Sequence, residues 1–470
     1  MSDEVYYTDA RKLACDIRTK VISPVEVMKV HMDRISKFNP TLNAIVTLCD
    51  DSLEHAIKAE EAIMRDEIWG PLHGVPFTIK DCIDTKGVRT TRGSIIYENH
   101  VPSSDATVVT RLKNAGGIML GKTNMPEFAL WWETGNRVFG RTENPWMSGR
   151  TPGGSSGGEA AAIAAGLSPL GIGSDLGGSI RQPAHYCGIV GLKATHGRIP
   201  LTGHWPDTLL RFMHVGPMAR SVQDIAMLTN ILSGSDGFDH YAVPSTPLSS
   251  PFTDTECKLN DLRVGWCAKG PFAPVHSEIV DAVEAAAANL NDLGCAVEEI
   301  ELEDWTDLDI QNISATINAV EGGFYLDPII SGSEDSLAES MRRRLGFDKP
   351  SHNEYVKAIN DLERLRRSSS SYFRKYDVLV CPTGPVTAHP HDSFELDVEG
   401  YKVPGRNALR ATIPSDLTGC PAISIPYGWS SEGLPIGVQL IANRYEEDLL
   451  LQVAYSLETV RQTFRKFPQL

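Results

Sequence analysis

The chain has no Cys-x-x-Cys pair and no histidine pair at zinc-finger spacing, and its nine cysteines are an odd number scattered along its length. That spacing supplies neither a disulfide framework nor a zinc ligand set, and it reads as the reduced thiols of a cytoplasmic protein. No run reaches the ~18 apolar residues a membrane span needs. Residues 160–173 come closest, but they are Ala/Gly-rich and broken by Pro169. The polar, acidic opening MSDEVYYTDARKLA is not expected to be a signal peptide. A basic excess is missing too: a formal net charge of −16 leaves no counterion-releasing surface for a nucleic-acid backbone. The Lys/Arg clusters at residues 342–344 and 364–367 read as solvated helix faces. There is no Walker-type GxxxxGK[ST], HExxH, EF-hand loop or kinase signature set. Gly171-Ile172-Gly173 lacks the third glycine of a dinucleotide-binding turn. No cofactor and no metal are expected.

What remains is an ordinary globular composition, 41% hydrophobic and 22% charged over 470 residues. Amphipathic helices are expected over 8–20 and 24–38. The second has Ser23 as N-cap, Pro24 at the first helical position and Glu26 completing a capping box. Further helices are expected over 51–65, 107–115, 159–165 and 277–293. Strands are expected over 74–80, 117–120, 170–172, 262–267, 296–300, 377–381 and 422–426. Strands alternating with helices predict an α/β sandwich with helices on both faces. Residues 237–260, rich in Ser, Pro, Thr and Asp, are the best linker candidate. Strand-like runs flank them, so both lobes can share one sheet.

The chemistry concentrates in GGSSGGEAAAIAAGLSPLGIGSDLGGSI, residues 153–180, where Ser155 and Ser179 each follow two glycines. Glycine lets a backbone N–H approach a neighbouring group closely. A serine among free backbone donors is what an acyl-transfer nucleophile with a backbone oxyanion hole requires. Gly154-Ser155-Ser156-Gly157-Gly158 also satisfies the G-x-S-x-G nucleophile elbow, with Ser156 as nucleophile. The residues before it, 147–152, have loop composition rather than that of the required strand. Ser179 has the better context, following an apolar run, and a turn there can aim successive N–H groups at one oxygen. For the base, His185 and His196 compete with Lys80, which ends an apolar strand. Bringing a lysine from about 10.4 to about 7 takes roughly 5 kcal/mol of burial penalty on the cation. The residues alone leave that choice open.

Taken together, GVPFTIKD (74–81), GKTNMPEF (121–128), NPW (144–146), GGSSGGEAAA (153–162), GSDLGGSIRQPA (173–184), GIVGLKAT (188–195) and GLPIGVQLIA (433–442) resemble the amidase signature family. The resemblance covers nearly the whole chain. It implies a three-layer α/β/α sandwich on a large mixed β-sheet, one amidase domain over 1–470 with its catalytic core at 70–200. It also implies a Ser–cis-Ser–Lys triad: Ser179 as nucleophile, Ser155 after a cis peptide bond, Lys80 as base. The backbone N–H groups of Leu176, Gly177, Gly178 and Ser179 would form the oxyanion hole, supported by Ser156, Asp175 and Arg181. Met125, Phe128, Trp131, Trp132, His204 and Trp205 are candidates for the substrate pocket. The implied substrate is a small carboxamide, an aryl amide or a hydrazide, and a homodimer is the family's usual state. Two rival readings stand beside it. One is the glutaminase-type A subunit of a glutamyl-tRNA amidotransferase, for which no acid is found ahead of Thr412-Ile413-Pro414. The other is a non-catalytic binding protein on the same scaffold.

Overall fold

In the computed structural model, which describes residues 5–248, 259–346, 349–460 and 466–470, eleven strands form one mixed sheet. In chain order they are β1 (Ile45–Leu48), β2 (Pro76–Lys80), β3 (Ile118–Thr123), β4 (Leu170–Asp175), β5 (Val190–Lys193), β6 (His214–Ala219), β7 (Arg263–Trp266), β8 (Ala296–Glu299), β9 (Val378–Pro382), β10 (Ala422–Trp429) and β11 (Pro435–Ala442). Across the sheet they run β1-β3-β2-β4-β6-β5-β10-β11-β9-β7-β8. The β2–β3 and β2–β4 pairs are parallel, and the pairs from β4 through to β9 antiparallel. This is the mixed α/β sandwich expected. Strands from both sides of residues 237–260 share it, and residues 249–258 of that candidate linker lie outside the described residues.

The strands nearest the site are buried on both faces, so they read as short apolar runs rather than alternations. The helix Pro24–Leu42 starts as expected: the Ser23 side chain accepts the Glu26 N–H at 3.0 Å, half of the anticipated box. It runs four residues past the expected end, through Pro40, before Asn43 takes a left-handed conformation. The strands 190–193, 214–219 and 435–442 and the helices between 303 and 330 go beyond the expected elements. β6 carries Gly216 and Pro217, which mask a strand signal, and the helices are short and irregular.

Below the site, the helix Gly157–Ala164 packs its alanines against the sheet. Its Glu159 carboxylate sits between β2 and β3, taking hydrogen bonds from the Thr78 and Thr123 hydroxyls, the latter at 2.8 Å. Burial pushes this carboxyl up to about 7 against those two donors. The folded state therefore holds its proton between the ordinary carboxylate range and pH 7, and stability should fall as pH rises through that window. Glu159→Gln should flatten the decline, by up to roughly 3 kcal/mol at pH 8. Melting temperatures of both proteins from pH 4.5 to 8 check it, and parallel curves would refute it.

Candidate active site

β2 ends on Lys80 and β4 on Asp175, both at the sheet's carboxyl edge, and the turn after β4 brings Ser179 back towards them. Lys80 is buried. Its Nζ donates to Ser155 Oγ at 2.7 Å and to Ser174 Oγ at 3.0 Å. Burial lowers its pKa from 10.5 to about 8, against the opposing pull of Cys82, Asp175 and Glu159. Roughly one molecule in ten then carries a neutral amine at pH 7. That is a smaller share than a pKa near 7 would give, yet enough for a base. The histidines are placed elsewhere. His185 bonds the Gly437 N–H and the Val386 carbonyl, and His196 bonds the Leu210 carbonyl.

The Gly154–Ser155 peptide bond is cis. Ser156 is wholly buried and locked to β4: its Oγ accepts the Ser174 N–H and donates to the Ser174 carbonyl, both at 3.2 Å. An elbow nucleophile has to face a cavity, so the G-x-S-x-G reading of Ser156 is set aside. Its N–H donates to the Ser179 carbonyl at 3.1 Å, which seats the second serine cluster on the first. No hydrogen bond joins the hydroxyls of Ser155 and Ser179 among the described residues. Ser179 instead lines a cavity of about 270 Å³.

The turn 176–179 differs from expectation in one donor. Gly178 spends its N–H on Asp175 Oδ1 at 2.5 Å, so it is committed to the turn rather than the cavity. The N–H groups of Leu176, Gly177 and Ser179 make no intramolecular bond among the described residues. Gly178 has φ +129, and a Cβ there would strike the Thr412 side chain. Only glycine fits on both counts.

Asp175 and Arg181 do more than pin a loop. Arg181 Nε and Nη2 grip Asp175 at 3.0 Å each, and Nη2 also reaches Asp416 at 2.7 Å. Nη1 donates to the Thr412 carbonyl, Ser415 Oγ and Gln439 Oε1. Burial penalises the Asp175 charge, but Arg181 outweighs it and holds the carboxyl well below the usual range. Burial and the charge of Asp175 push Asp416 well above it. Sequence reasoning missed Asp416, Ser174 and Thr412. Asp416 lies two residues beyond Pro414, so a search for buried acids after that motif, as well as before it, would have found it.

Of the six pocket candidates, Trp131 and Trp132 line the cavity, stacked at 3.7 Å. The other four do not. Met125 and Phe128 are buried core, and Trp205 packs on Phe128 at 5.0 Å. His204 sits 3.6 Å from Cys82 Sγ in the interior. Large aromatics bury more area in a core than in a wall, which the motif's composition does not reveal. The unforeseen wall is helical: Gln311, Ser314, Ala315, Asn318 and Ala319 face the cavity at intervals of three and four, on Ile310–Ile317 and the π-turn Asn318–Gly322. Arg344, expected on a solvated face, also lines it.

Fold and site together define an amide hydrolase, an enzyme acting on C–N bonds. The family model described as Amidase matches residues 26–451, and the chain belongs to that family. It is 37% identical over 482 residues, 95% of each chain, to the glutamyl-tRNA(Gln) amidotransferase A subunit of Synechococcus sp. (strain CC9605). It is similar to a solved 6-aminohexanoate cyclic dimer hydrolase, at 32% identity with a TM-score of 0.88 over 99% of each chain. A bacterial aryl acylamidase of the amidase signature family matches at 25% identity and a TM-score of 0.88, over 97% of this chain and 96% of that one. Among the described residues, no helix is long and apolar enough to cross a membrane.

Arg181→Met should leave the buried Asp175 carboxylate without its counter-ion and Asp416 without its donor at once. A loss of about 3–5 kcal/mol in unfolding free energy is expected from urea denaturation. A loss below about 1 kcal/mol would mean the network is dispensable.

Proposed function

We propose that the protein hydrolyses small carboxamides through an acyl-enzyme on Ser179. The observation that carries this reading is a buried, partly neutral Lys80 held 2.7 Å from Ser155 beside the cavity that Ser179 lines. Ser179 Oγ attacks the amide carbon, its proton passing to Ser155 as the Ser155 proton passes to Lys80 Nζ. The carbonyl oxygen gathers charge against the N–H groups of Leu176, Gly177 and Ser179. On collapse the C–N bond breaks and the nitrogen takes a proton back along the relay, since an amide anion is too basic to leave unprotonated. Water then cleaves the acyl ester by the same path, freeing the carboxylic acid and the serine. The walls favour an apolar or flat acyl group: Trp131, Trp132, Leu326, Ile330, Leu409 and Ile413 all line the cavity. A hydrazide, with hydrazine leaving in place of ammonia, is accommodated by the same steps.

The second reading is a glutaminase within an amidotransferase, favoured by the full-length similarity to the A subunit of glutamyl-tRNA(Gln) amidotransferase. Glutamine brings an ammonium that wants an acid. Asp416 is committed to Arg181, and the cavity's acid, Asp327, is bound by Lys349 at 2.6 Å. Release of ammonia from benzamide and hexanamide and of hydrazine from benzhydrazide, set against release of ammonia from glutamine, separates the readings. Turnover of glutamine alone would install the second. No turnover and no labelling of Ser179 by a fluorophosphonate would install a non-catalytic scaffold.

Ser179→Ala and Lys80→Ala should each lower kcat/KM by at least ~10³-fold with the fold retained. The wild-type kcat/KM should climb with pH and level off above about 8, as Lys80 sheds its proton. A profile flat from pH 6 to 9 would remove Lys80 as the base.

A further inference from the structure

Three oxygens surround the buried Nζ of Lys80: Ser155 Oγ at 2.7 Å, Ser174 Oγ at 3.0 Å and the Ser174 carbonyl at 3.5 Å. An ammonium donates to all three. A neutral amine keeps two N–H donors and one lone pair, and of these neighbours only a hydroxyl can give a proton to the lone pair. Ser155 and Ser174 therefore compete for it. A lone pair turned to Ser155 serves the relay to Ser179, whereas one occupied by Ser174 is idle. A working base needs the Ser174 O–H held elsewhere.

The interior behind Lys80 offers that hold. Among the described residues, Ser174 Oγ has one other partner, Cys82 Sγ at 3.8 Å, and Cys82 Sγ has one other, His204 Nε2 at 3.6 Å. All three side chains are buried. The backbone fixes the pair: the Cys82 carbonyl takes the Trp205 N–H at 2.9 Å, and the Gly203 carbonyl takes the Asp84 N–H at 2.8 Å. Gly203 has φ +84, and a Cβ there would meet Ala106 Cα at 2.5 Å, so this close approach requires glycine.

Protonation states give the chain of side chains a direction. Burial keeps Cys82 a thiol. Burial and the charge of Lys80 bring His204 down to about 3, so its ring is neutral and holds one proton. Nδ1 makes no well-formed hydrogen bond among the described residues, but the Pro206 carbonyl favours a proton on the ring. With that proton on Nδ1, Nε2 accepts the Cys82 S–H, Sγ accepts the Ser174 O–H, and Ser174 Oγ accepts from Lys80. The opposite tautomer aims its N–H at the sulfur and leaves the S–H to Ser174 Oγ or to nothing. A thiol is a weak donor and acceptor, yet here it has only to choose between two rotations of one hydroxyl.

We infer that Cys82 and His204 are positioning residues of the hydrolase: as a thiol–imidazole chain they hold the Ser174 hydroxyl away from Lys80, so that the lone pair of the neutral amine faces Ser155. The inference rests on the carboxamide-hydrolase reading and adds to it two residues that act only through Ser174. As Ser179 attacks, the Ser155 proton enters that lone pair, and Lys80 becomes an ammonium with all three oxygens as acceptors. The proton returns through Ser155 to the departing nitrogen.

Cys82→Val removes the thiol with little change of volume. Its kcat on hexanamide should fall about 10-fold or more with KM unchanged, and Cys82→Ser should recover most of the loss. His204→Leu should fall likewise, and the double variant should lose no more than the worse single one, since both break one chain. In His204→Leu the midpoint of the kcat/KM profile should also move below about 8, because a Ser174 O–H given to the lone pair stabilises the neutral amine. Cys82, Asp175 and Glu159, the titratable groups that act on Lys80, are intact in that variant, so the shift reports the hydroxyl. Wild-type kcat in Cys82→Val, a loss that Cys82→Ser does not recover, or an unmoved midpoint in His204→Leu overturns the proposal and leaves amide hydrolysis standing. If no amide is turned over, the hydrolase reading falls. In that case, or if a variant does not fold, the ring-nitrogen NMR shifts of wild-type His204 decide the chain: a proton on Nδ1 with Nε2 bare supports it, and a proton on Nε2 overturns it.

Discussion

The active-site edge of this molecule depends on one buried guanidinium. Arg181 spends its donors on Asp175, Asp416, Ser415, Gln439 and the Thr412 carbonyl, tying the turn after β4 to a segment more than 200 residues away in sequence. Burying a charge costs several kcal/mol unless its hydrogen bonds are replaced one for one. Here they are, and the arrangement is correspondingly intolerant of change. Because Asp175 also takes the Gly178 and Ile180 N–H groups, the same ion pair decides which amides of the 176–179 turn are left for the cavity. Catalytic geometry and tertiary closure are thus one network.

Within that frame, burial of a lysine is not by itself a mark of chemistry. Lys80, Lys122 and Lys193 are all buried, and desolvation lowers all three. Lys122 donates to the Ile83 carbonyl and to Thr85 Oγ1, and Lys193 to the Cys420 carbonyl with His214 beside it. Lys80 meets the hydroxyls of Ser155 and Ser174, and the residue after Ser155 bonds the Ser179 carbonyl. The place of the partner hydroxyl, rather than the pKa, sets Lys80 apart from the other two.

Much of the framework is legible in the sequence because its signals are local. Ser23 caps its helix, 76–80 and 118–123 are short apolar strands, and the Gly-Gly-Ser pairs sit at turns that need glycine. Sequence reasoning misleads where the deciding contact is long-range. Phe128 and Trp205 look like pocket aromatics beside a catalytic motif, but they pack on each other in the interior. Arg344 looks like its neighbours Arg342 and Arg343 until the fold sets it against a cavity wall. The stripe 311, 314, 315, 318, 319 has helical spacing, but its small and polar residues carry no hydrophobic signal.

The sequence alone determined the family, the sheet-and-helix class, the positions of the serine clusters and the strand that ends on Lys80. These follow from local composition and from motifs whose residues must lie close together in the chain. Only the tertiary structure decided which titratable side chain Ser155 meets, which N–H of the Gly-rich turn is already taken, which aromatics face the cavity and which arginine of three does. Each of those depends on desolvation and on partners distant in sequence, and both exist only once the chain has closed on itself.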